Sequence, residues 1–434
     1  MDLGSSPPRL VAPPPGERSR ALVDVLARTE CPAFTARRAR RAEASGAPQD
    51  PIVWSEARGA NVVDADGNVY VDLTSGFGVA AIGHAHPRVL AALETQSRKL
   101  LHALGDLHPS DVKIALLDRL ASIAPFEGAR VVLSQSGSDA VETALKTAVL
   151  ATKKPGVLAF EGGYHGLSHG PLAACGYAPA FRLPFAAQLG AHVRFAAWHE
   201  QELDAALAAV DAAWDDTIGA VLVEPLQGRG GCRPCPDGFL AALTERCRAR
   251  GALLVVDEIL TGLGRCGERW LSVALGASPD LVCVGKALGG GLPVSACLGR
   301  ADAMAAWGDP AGEAIHTGTF FGHPLGCAAA LAALDVIEDE ALSARATELG
   351  ARLSTKLAQA TDRRVTGAGM LLGVRFDRAG DRPVLDLVAR LLARGYLTLP
   401  AGSDARTLQL APPLTIDETL LDGFVEALAE EVPA

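Results

Sequence analysis

A lysine closes the apolar run of "LVCVGKALGGGLP" (residues 281–293), and three glycines follow it almost at once. Three chemistries suit such a lysine: holding a phosphate, pairing with a carboxylate, or reacting as an amine. A nucleotide phosphate loop needs its glycines before the lysine and a Ser or Thr after it. Here Ala287 follows Lys286 and the glycines come later. A structural ion pair would leave an ammonium at the end of a buried strand, where desolvation penalises it. A partly desolvated lysine has a lowered pKa and forms Schiff bases readily, so the nucleophile reading suits the setting. The chain has only seven lysines, Lys99, Lys113, Lys146, Lys153, Lys154, Lys286 and Lys356, so Lys286 has few rivals.

Other segments carry chemistry of their own. "VVDEILTGLGRCG" (255–267) ends an apolar run in Asp257 and Glu258. A carboxylate so placed needs a cationic partner, either a protonated ring nitrogen of a ligand or Arg265 in the same loop. "SQSGSDAVETALKTAVLATKK" (134–154) passes through Ser136, Gly137 and Ser138 into a helical pattern, with Ser138 or Asp139 expected as the cap and Glu142 in the first turn. Free N–H groups at such a start can seat a phosphate, although the same pattern serves capping alone. "FEGGYHG" (160–166) puts Tyr164 and His165 on a glycine-flanked loop, where an aromatic ring either stacks on a planar ligand or fills the loop. Cys232 and Cys235 in "GCRPCPDG" lack the second pair that a zinc site needs, and no metal centre is expected.

The elements that must position these groups are short apolar runs alternating with longer helical patterns: 130–134, 156–160, 220–224, 253–258 and 281–286. Runs this apolar fit strands buried on both faces, hence an α/β fold with a mostly parallel sheet. Their C-terminal ends carry Ser134 to Ser138, Glu161 to His165, Glu224, Asp257 with Glu258, and Lys286. Ligands of open α/β sheets bind beyond those ends, so five segments converge on one site. Residues 61–76 read as a hairpin about "DADGN", and helices are expected at 324–338 and 340–360. The expected organisation is a mobile segment 1–20, a large ligand-binding domain 76–329, and a smaller α+β domain built from 21–75 and 330–434.

Composition narrows the partners. With 434 residues, 49% of them apolar, the chain can bury a large core, and the net charge of −10 argues against nucleic acid and anionic membrane and for small molecules. Nine scattered cysteines suit a reducing compartment, and no segment has the length of a signal peptide core or a membrane span; a cytoplasmic protein is expected.

Taken together, a phosphate seat, a stacking aromatic, a strand-end aspartate and a strand-end lysine, in that order, resemble the class III, or omega, aminotransferases that use pyridoxal 5′-phosphate. The resemblance runs from about residue 50 to about residue 430. It includes "DLTSGFGVAAIGHAHP" (72–87), "SGSDAVETALK" (136–146), "GGYHG" (162–166), "VEPLQG" (223–228), "DEILTGLGRCG" (257–267), "GKALGGGLP" (285–293), "TGTFFGHPLGCAAALA" (317–332) and "LAPPLTI" (410–416). It implies a type I pyridoxal phosphate-dependent transferase fold acting as a homodimer with active sites at the subunit interface. Lys286 would be the Schiff-base lysine and proton shuttle, and Asp257 would pair with the pyridine nitrogen. Tyr164 would stack on the ring, and Gly137 and Ser138 would hold the phosphate. His165, Glu224, Ile259 and Gly318 would line the cofactor, and Thr319 would reach the phosphate held by the other subunit.

Three positions depart from the family. Many members carry glutamate where this chain has Arg229, and an arginine where it has Gln409. In those enzymes the two pair, and the arginine swings free to grip an α-carboxylate; here the positive charge has moved to the other side. Arg229 is either the new carboxylate grip or a solvated loop residue, and Gln409 faces the same substrate end. Leu260 stands where several relatives have glutamine and cannot supply its hydrogen bond. Phe77 is expected to line the substrate pocket. The reaction implied is transfer of a primary, often terminal, amino group to a keto acid such as 2-oxoglutarate or pyruvate; a same-fold aminomutase, racemase or decarboxylase is the alternative.

Overall fold

The computed structural model describes residues 3–46, 49–308, 313–378, 381 and 383–432. At its centre lies a seven-stranded sheet, its strands numbered here in chain order: β1 (Arg130–Ser134), β2 (Gly156–Phe160), β3 (Val193–Ala196), β4 (Ile218–Val223), β5 (Leu253–Asp257), β6 (Leu281–Val284) and β7 (Ser295–Gly299). Their order across the sheet is β1-β7-β6-β5-β4-β2-β3. The pairs from β6 to β3 are all parallel. The sequence predicts five of these strands and omits β3 and β7. The latter runs antiparallel to both β6 and β1. Residues 285–294 are fewer than the stretch of about a dozen that a parallel crossover needs, so the chain must turn straight back.

Both faces of the sheet are covered, and the period of two along the strands decides which side chain goes where. Leu158, Phe160, Leu254 and Val256 meet Phe239 and Leu240 of the helix Phe239–Arg250. The residues between them, Val157, Ala159 and Val255, pack on the opposite face with Val141 and Ala144. Three helices are numbered here in chain order: α1 (Glu17–Thr29), α2 (Pro32–Ser45) and α3 (Gly137–Thr152), the last supplying Val141 and Ala144. The cap of α3 is Ser136, two residues before Ser138 and three before Asp139, the caps expected from the sequence. Ser136 is extended and its Oγ accepts the Asp139 N–H at 3.2 Å. That leaves the Ser138 hydroxyl free for other bonds.

Smaller sheets draw on both ends of the chain. The hairpin strands Asn61–Asp64 and Val69–Asp72 pair as the "DADGN" turn predicts, with Asp64 Oδ1 accepting the N–H groups of Asp66 and Asn68 at 2.9 Å. The strand Tyr396–Leu397 then joins Val69–Asp72 in parallel. The helices Pro324–Asp339 and Leu342–Thr361 lie where the sequence places them. One apolar cluster spans these parts, holding Leu73, Ile82, Val284, Leu288, Leu414 and Phe424 together.

Residues 4–12, within the segment expected to be mobile, are hydrogen-bonded to the hairpin; residues 1 and 2 lie outside those described. Asn61 is fully buried, and its Oδ1 accepts the N–H groups of Gly4 (2.9 Å) and Ser6 (2.8 Å) while its Nδ2 donates to Ser6 O and Tyr70 O. Asn68 Oδ1 likewise accepts from Val11 and Ala12. Composition does not register these two buried asparagines, which satisfy an otherwise unpaired backbone. Asn61→Ala removes four bonds at once. It is expected to destabilise the protein by roughly 2–4 kcal/mol and to open residues 4–12 to proteases, as read by denaturant unfolding and limited proteolysis.

Candidate active site

Strand register brings the reactive groups together. Val223 of β4 is opposite Val256 of β5, and Asp257 is opposite Cys283 of β6. Glu224, Asp257 and Lys286 therefore leave three adjacent strands side by side, at the rim of a cavity of about 570 Å³. Such a volume is ordinary for a cofactor together with a small substrate. Tyr164, His165 and Arg229 border the same space, as do Gly137, Ser138 and Ile259.

The inner wall is a chain of buried charges. His165 Nδ1 donates to Asp257 Oδ2 at 2.8 Å, both side chains being almost wholly buried, and Asp257 Oδ1 accepts the Ile259 N–H at 3.1 Å. Burial acts to lower the pKa of His165, but the bond to Asp257 and the charges of Asp257 and Glu224 outweigh it and raise the group above its ordinary range. Glu224 is raised by burial, against the pull of His165 and with the help of the Asp257 charge. Its oxygens accept the N–H groups of Tyr164 (2.9 Å) and Gly228 (3.1 Å), which fastens the aromatic loop to the loop carrying Arg229.

Lys286 faces this acidic wall. Burial lowers its pKa below 10.5, Asp257 and Glu224 oppose the shift, and the nearby Arg229 charge adds to it. Its backbone is left-handed, with φ of 40°, a conformation that a side chain adopts only where its surroundings impose it. The opposite wall is the start of α3, where Ser136, Gly137 and Ser138 border the cavity. The first turn of a helix leaves its N–H groups without intrahelical acceptors. Ser138 Oγ donates to Ser168 Oγ at 2.8 Å and accepts the Ser168 N–H at 3.1 Å, so the turn is braced from the loop after Tyr164. That loop can pass so close only because residue 166 is glycine: its φ is 113°, and a Cβ there would lie 2.4 Å from Ser138 Oγ. Leu260 borders the cavity where a polar residue was noted in relatives, and a Cβ at Gly228 would lie 2.3 Å from its Cδ2.

Four expected site residues lie apart from this cavity. Phe77 is 62% exposed and borders no part of it, because the turn carrying it runs through left-handed residues from Ser75 to Phe77. Gly318 and Thr319 sit on another face, where Thr319 adjoins His102 and Gly105. Gln409 donates from Nε2 to Gly228 O at 2.9 Å, so it acts behind the Arg229 loop and not on the cavity wall. Arg265 does not pair with Asp257 or Glu258. It is fully buried, donates to the carbonyls of Pro412 (2.5 Å) and Met370 (3.3 Å), and its pKa is pulled down to about 10 by burial. Glu258 instead accepts from the Thr261 hydroxyl and from the Ser272 N–H at 2.7 Å.

Sequence reasoning missed the surroundings of Arg229. Its guanidinium carbon lies 4.5, 5.0 and 5.8 Å from the ring centroids of Tyr164, Tyr177 and Phe181. Two tyrosine and phenylalanine positions within "GYAPAF" are the only local signal, and nothing there points to a residue so far along the chain. Tyr164 is thus in contact with a cation on one side.

The donor set fits pyridoxal 5′-phosphate. The cavity offers an amine of lowered pKa for the aldehyde, a carboxylate for a protonated ring nitrogen, and a helix start for the phosphate. When bound, that cofactor supplies an electron sink for negative charge at the substrate carbon. Lys286 has to be unprotonated to react. Because its pKa is lowered, the neutral fraction rises with pH and passes its midpoint below 10.5. Uptake of the cofactor by apoprotein is therefore expected to rise with pH with a midpoint below that value, whereas Lys286→Ala should take up no covalently bound, borohydride-reducible cofactor at any pH. Absorbance and mass spectrometry after reduction check both.

Comparison with known proteins agrees with this geometry. Residues 43–432 match the family model described as aminotransferase class-III. The chain is 34% identical over 411 residues to a 2-aminoadipate transaminase of Pseudomonas putida, covering 88% of this chain and 95% of that one. It is 38% identical over 388 residues to an acetylornithine aminotransferase of Mycobacterium tuberculosis, covering 87% and 91%. Among solved structures, an amine transaminase from an uncultivated Pseudomonas species, in its pyridoxal phosphate-bound form, superposes with a TM-score of 0.79 at 30% identity, covering 88% and 94%. The chain belongs to the class III aminotransferases, pyridoxal phosphate-dependent enzymes of the type I fold.

Proposed function

We propose that this enzyme moves a terminal primary amino group from a carboxylate-bearing donor to a keto acid such as 2-oxoglutarate or pyruvate, with Arg229 taking the substrate carboxylate. The observation that carries this reading is the state of Arg229. Among the described residues it makes no ion pair, its Nε is buried without a hydrogen-bond partner, and it borders the cavity that Lys286 opens into. Three aromatic rings hold the guanidinium by cation–π contact, which leaves its donors for a ligand. The names of the relatives are in keeping, since 2-aminoadipate and acetylornithine both carry carboxylates.

In this reading each side chain has one task. Lys286 holds the cofactor aldehyde and carries the proton to and from the substrate carbon. Asp257, fixed by His165, faces the ring nitrogen, and Gly137, Ser138 and the start of α3 seat the phosphate. Tyr164 lies against the ring with Arg229 behind it. Glu224 keeps the Tyr164 and Arg229 loops in register, and Ile259 backs the phosphate turn. Phe77, Gly318 and Thr319, none of which lines this chain's own cavity, act at the cavity of a second subunit. Supporting that homodimer, Leu101, Leu104, Leu107 and Phe320 are exposed beside Thr319, and His102 lies 5.5 Å from the Phe320 ring, so one apolar face carries both segments. A cytoplasmic setting suits the chain; no helix of the described residues is long and apolar enough to cross a membrane.

Arg229→Ala tests the carboxylate grip. Its kcat/KM is expected to fall roughly 100-fold with a carboxylate-bearing acceptor, as for loss of a buried charged bond, and far less with a carboxylate-free aldehyde. Equal losses on the two acceptors would remove Arg229 from substrate recognition.

A further inference from the structure

Residues 313–323 form no helix or strand, and Ile315, Thr317, Thr319 and Phe320 among them are exposed. His316 breaks that pattern. Its side chain is only 9% exposed and is bonded at both ring nitrogens: Nε2 lies 2.9 Å from Thr143 Oγ1, and Nδ1 lies 3.1 Å from Lys146 Nζ. The Thr143 hydroxyl already donates to Asp139 O at 3.0 Å, so it accepts from Nε2, while the Lys146 ammonium donates to Nδ1. One neutral tautomer satisfies both bonds. Burial and the Lys146 charge lower the pKa of the ring and favour that form, against the pull of Asp139 and Glu142.

These bonds fasten an irregular segment to a packed helix. Helix α3 is held in the core by Ala140, Val141, Ala144, Leu145 and Ala148, and Thr143 is fully buried. Among the described residues, the hydrogen bonds that join residues 313–322 to another element of the fold are the two at His316. Ring contacts carry the constraint along the segment. The Phe321 ring lies 5.6 Å from that of His316, and a Cβ at Gly318 would come within 2.5 Å of the Phe321 ring. The Phe321 N–H donates to Gly318 O at 2.9 Å, which closes the turn whose tip carries Thr319 and Phe320. His316 therefore sets where that turn stands relative to α3, and the turn borders no part of this chain's own cavity.

We propose that His316 is a positioning residue that acts on the other subunit's cavity: by fastening its own segment to α3, it holds Gly318 and Thr319 where they meet the phosphate of the cofactor bound in the second subunit. This rests on the reading that Gly318 and Thr319 act at that second cavity, and it names the residue that places them. Loss of the two bonds leaves α3 in its core packing and releases the segment. The effect therefore falls on the partner's cavity and not on that of the chain carrying the substitution. It falls on the phosphate, because Lys286, Asp257 and Tyr164 stand on other elements.

Cofactor binding to the apoprotein dimer tests this without turnover. His316→Ala is expected to weaken pyridoxal phosphate roughly tenfold, as for two lost hydrogen bonds, and to leave the binding of pyridoxal, which has no phosphate, unchanged. His316→Gln, which can still donate to Thr143, should recover part of the loss. Hybrid dimers of two differently tagged chains, one carrying Lys286→Ala, leave a single cavity able to form the borohydride-reducible bond, and the concentration dependence of that bond reads the one live cavity. His316→Ala on the Lys286→Ala chain should weaken the live cavity of its wild-type partner roughly tenfold, whereas His316→Ala on the live chain should leave that cavity as it was. A loss confined to the chain that carries His316→Ala, an equal loss in both hybrids, or no loss in either overturns the proposal. Thr319→Asp on the Lys286→Ala chain, which sets a carboxylate toward the phosphate, separates the two readings. If it weakens the live cavity while His316→Ala does not, only the anchoring by His316 falls. If it too leaves the partner's cavity unchanged, the action of Thr319 at the second cavity falls with it.

Discussion

The site depends on the hydrogen bond between His165 and Asp257 at the end of the central strand of the sheet. It is a 2.8 Å contact between two groups that are almost wholly withdrawn from water. Removing charged groups from solvent is strongly unfavourable unless each is paired and its remaining atoms are bonded. Here Asp257 is bonded to His165 and to the Ile259 N–H, and Glu224 accepts two backbone N–H groups. Those same bonds fix the loops that carry Tyr164, Ile259 and Arg229. Compensation of buried charge and placement of the cavity walls are thus one arrangement.

From that arrangement follows a polarity along the cavity. The inner end holds Asp257 and Glu224 facing an amine of lowered pKa, while the outer end holds Arg229 in its aromatic box. A substrate with an amino group at one end and carboxylate at the other meets a complementary field at each end. Arg265, buried under the loops and bonded to the carbonyls of Pro412 and Met370, ties the turn at Ser75 to the C-terminal segments without touching the cavity; Ser75 Oγ lies 3.4 Å from its Nη2.

Much of this was legible in the sequence, for definite physical reasons. Strands buried on both faces are apolar throughout, so their polar terminal residues stand out, and Glu224, Asp257 and Lys286 could be placed together from that contrast alone. The order of motifs then identified the family. The antiparallel β7 was missed because an apolar run says nothing of direction; only the short connection from β6 does. The cap of α3 was displaced because Ser136, Ser138 and Asp139 are all good caps, and tertiary contact with Ser168 decides among them. The fixing of residues 4–12 and the box around Arg229 depend on contacts between segments far apart in the chain, which no local pattern encodes. The expectation that Phe77 and Gln409 line this chain's cavity came from likeness of motif; a strained turn and a backbone carbonyl hold them elsewhere.

The central claim is that Asp257, held by His165, does its work at the ring nitrogen of the bound cofactor and not merely as a buried structural charge. Single-turnover measurement of the half-reaction between holoenzyme and amino donor in Asp257→Asn tests it most directly, because asparagine keeps the size of the side chain and removes its charge. The account predicts a folded protein that retains the cofactor on Lys286 but reacts with the donor at least about 100-fold more slowly. A variant that holds the cofactor and reacts at the wild-type rate would contradict it.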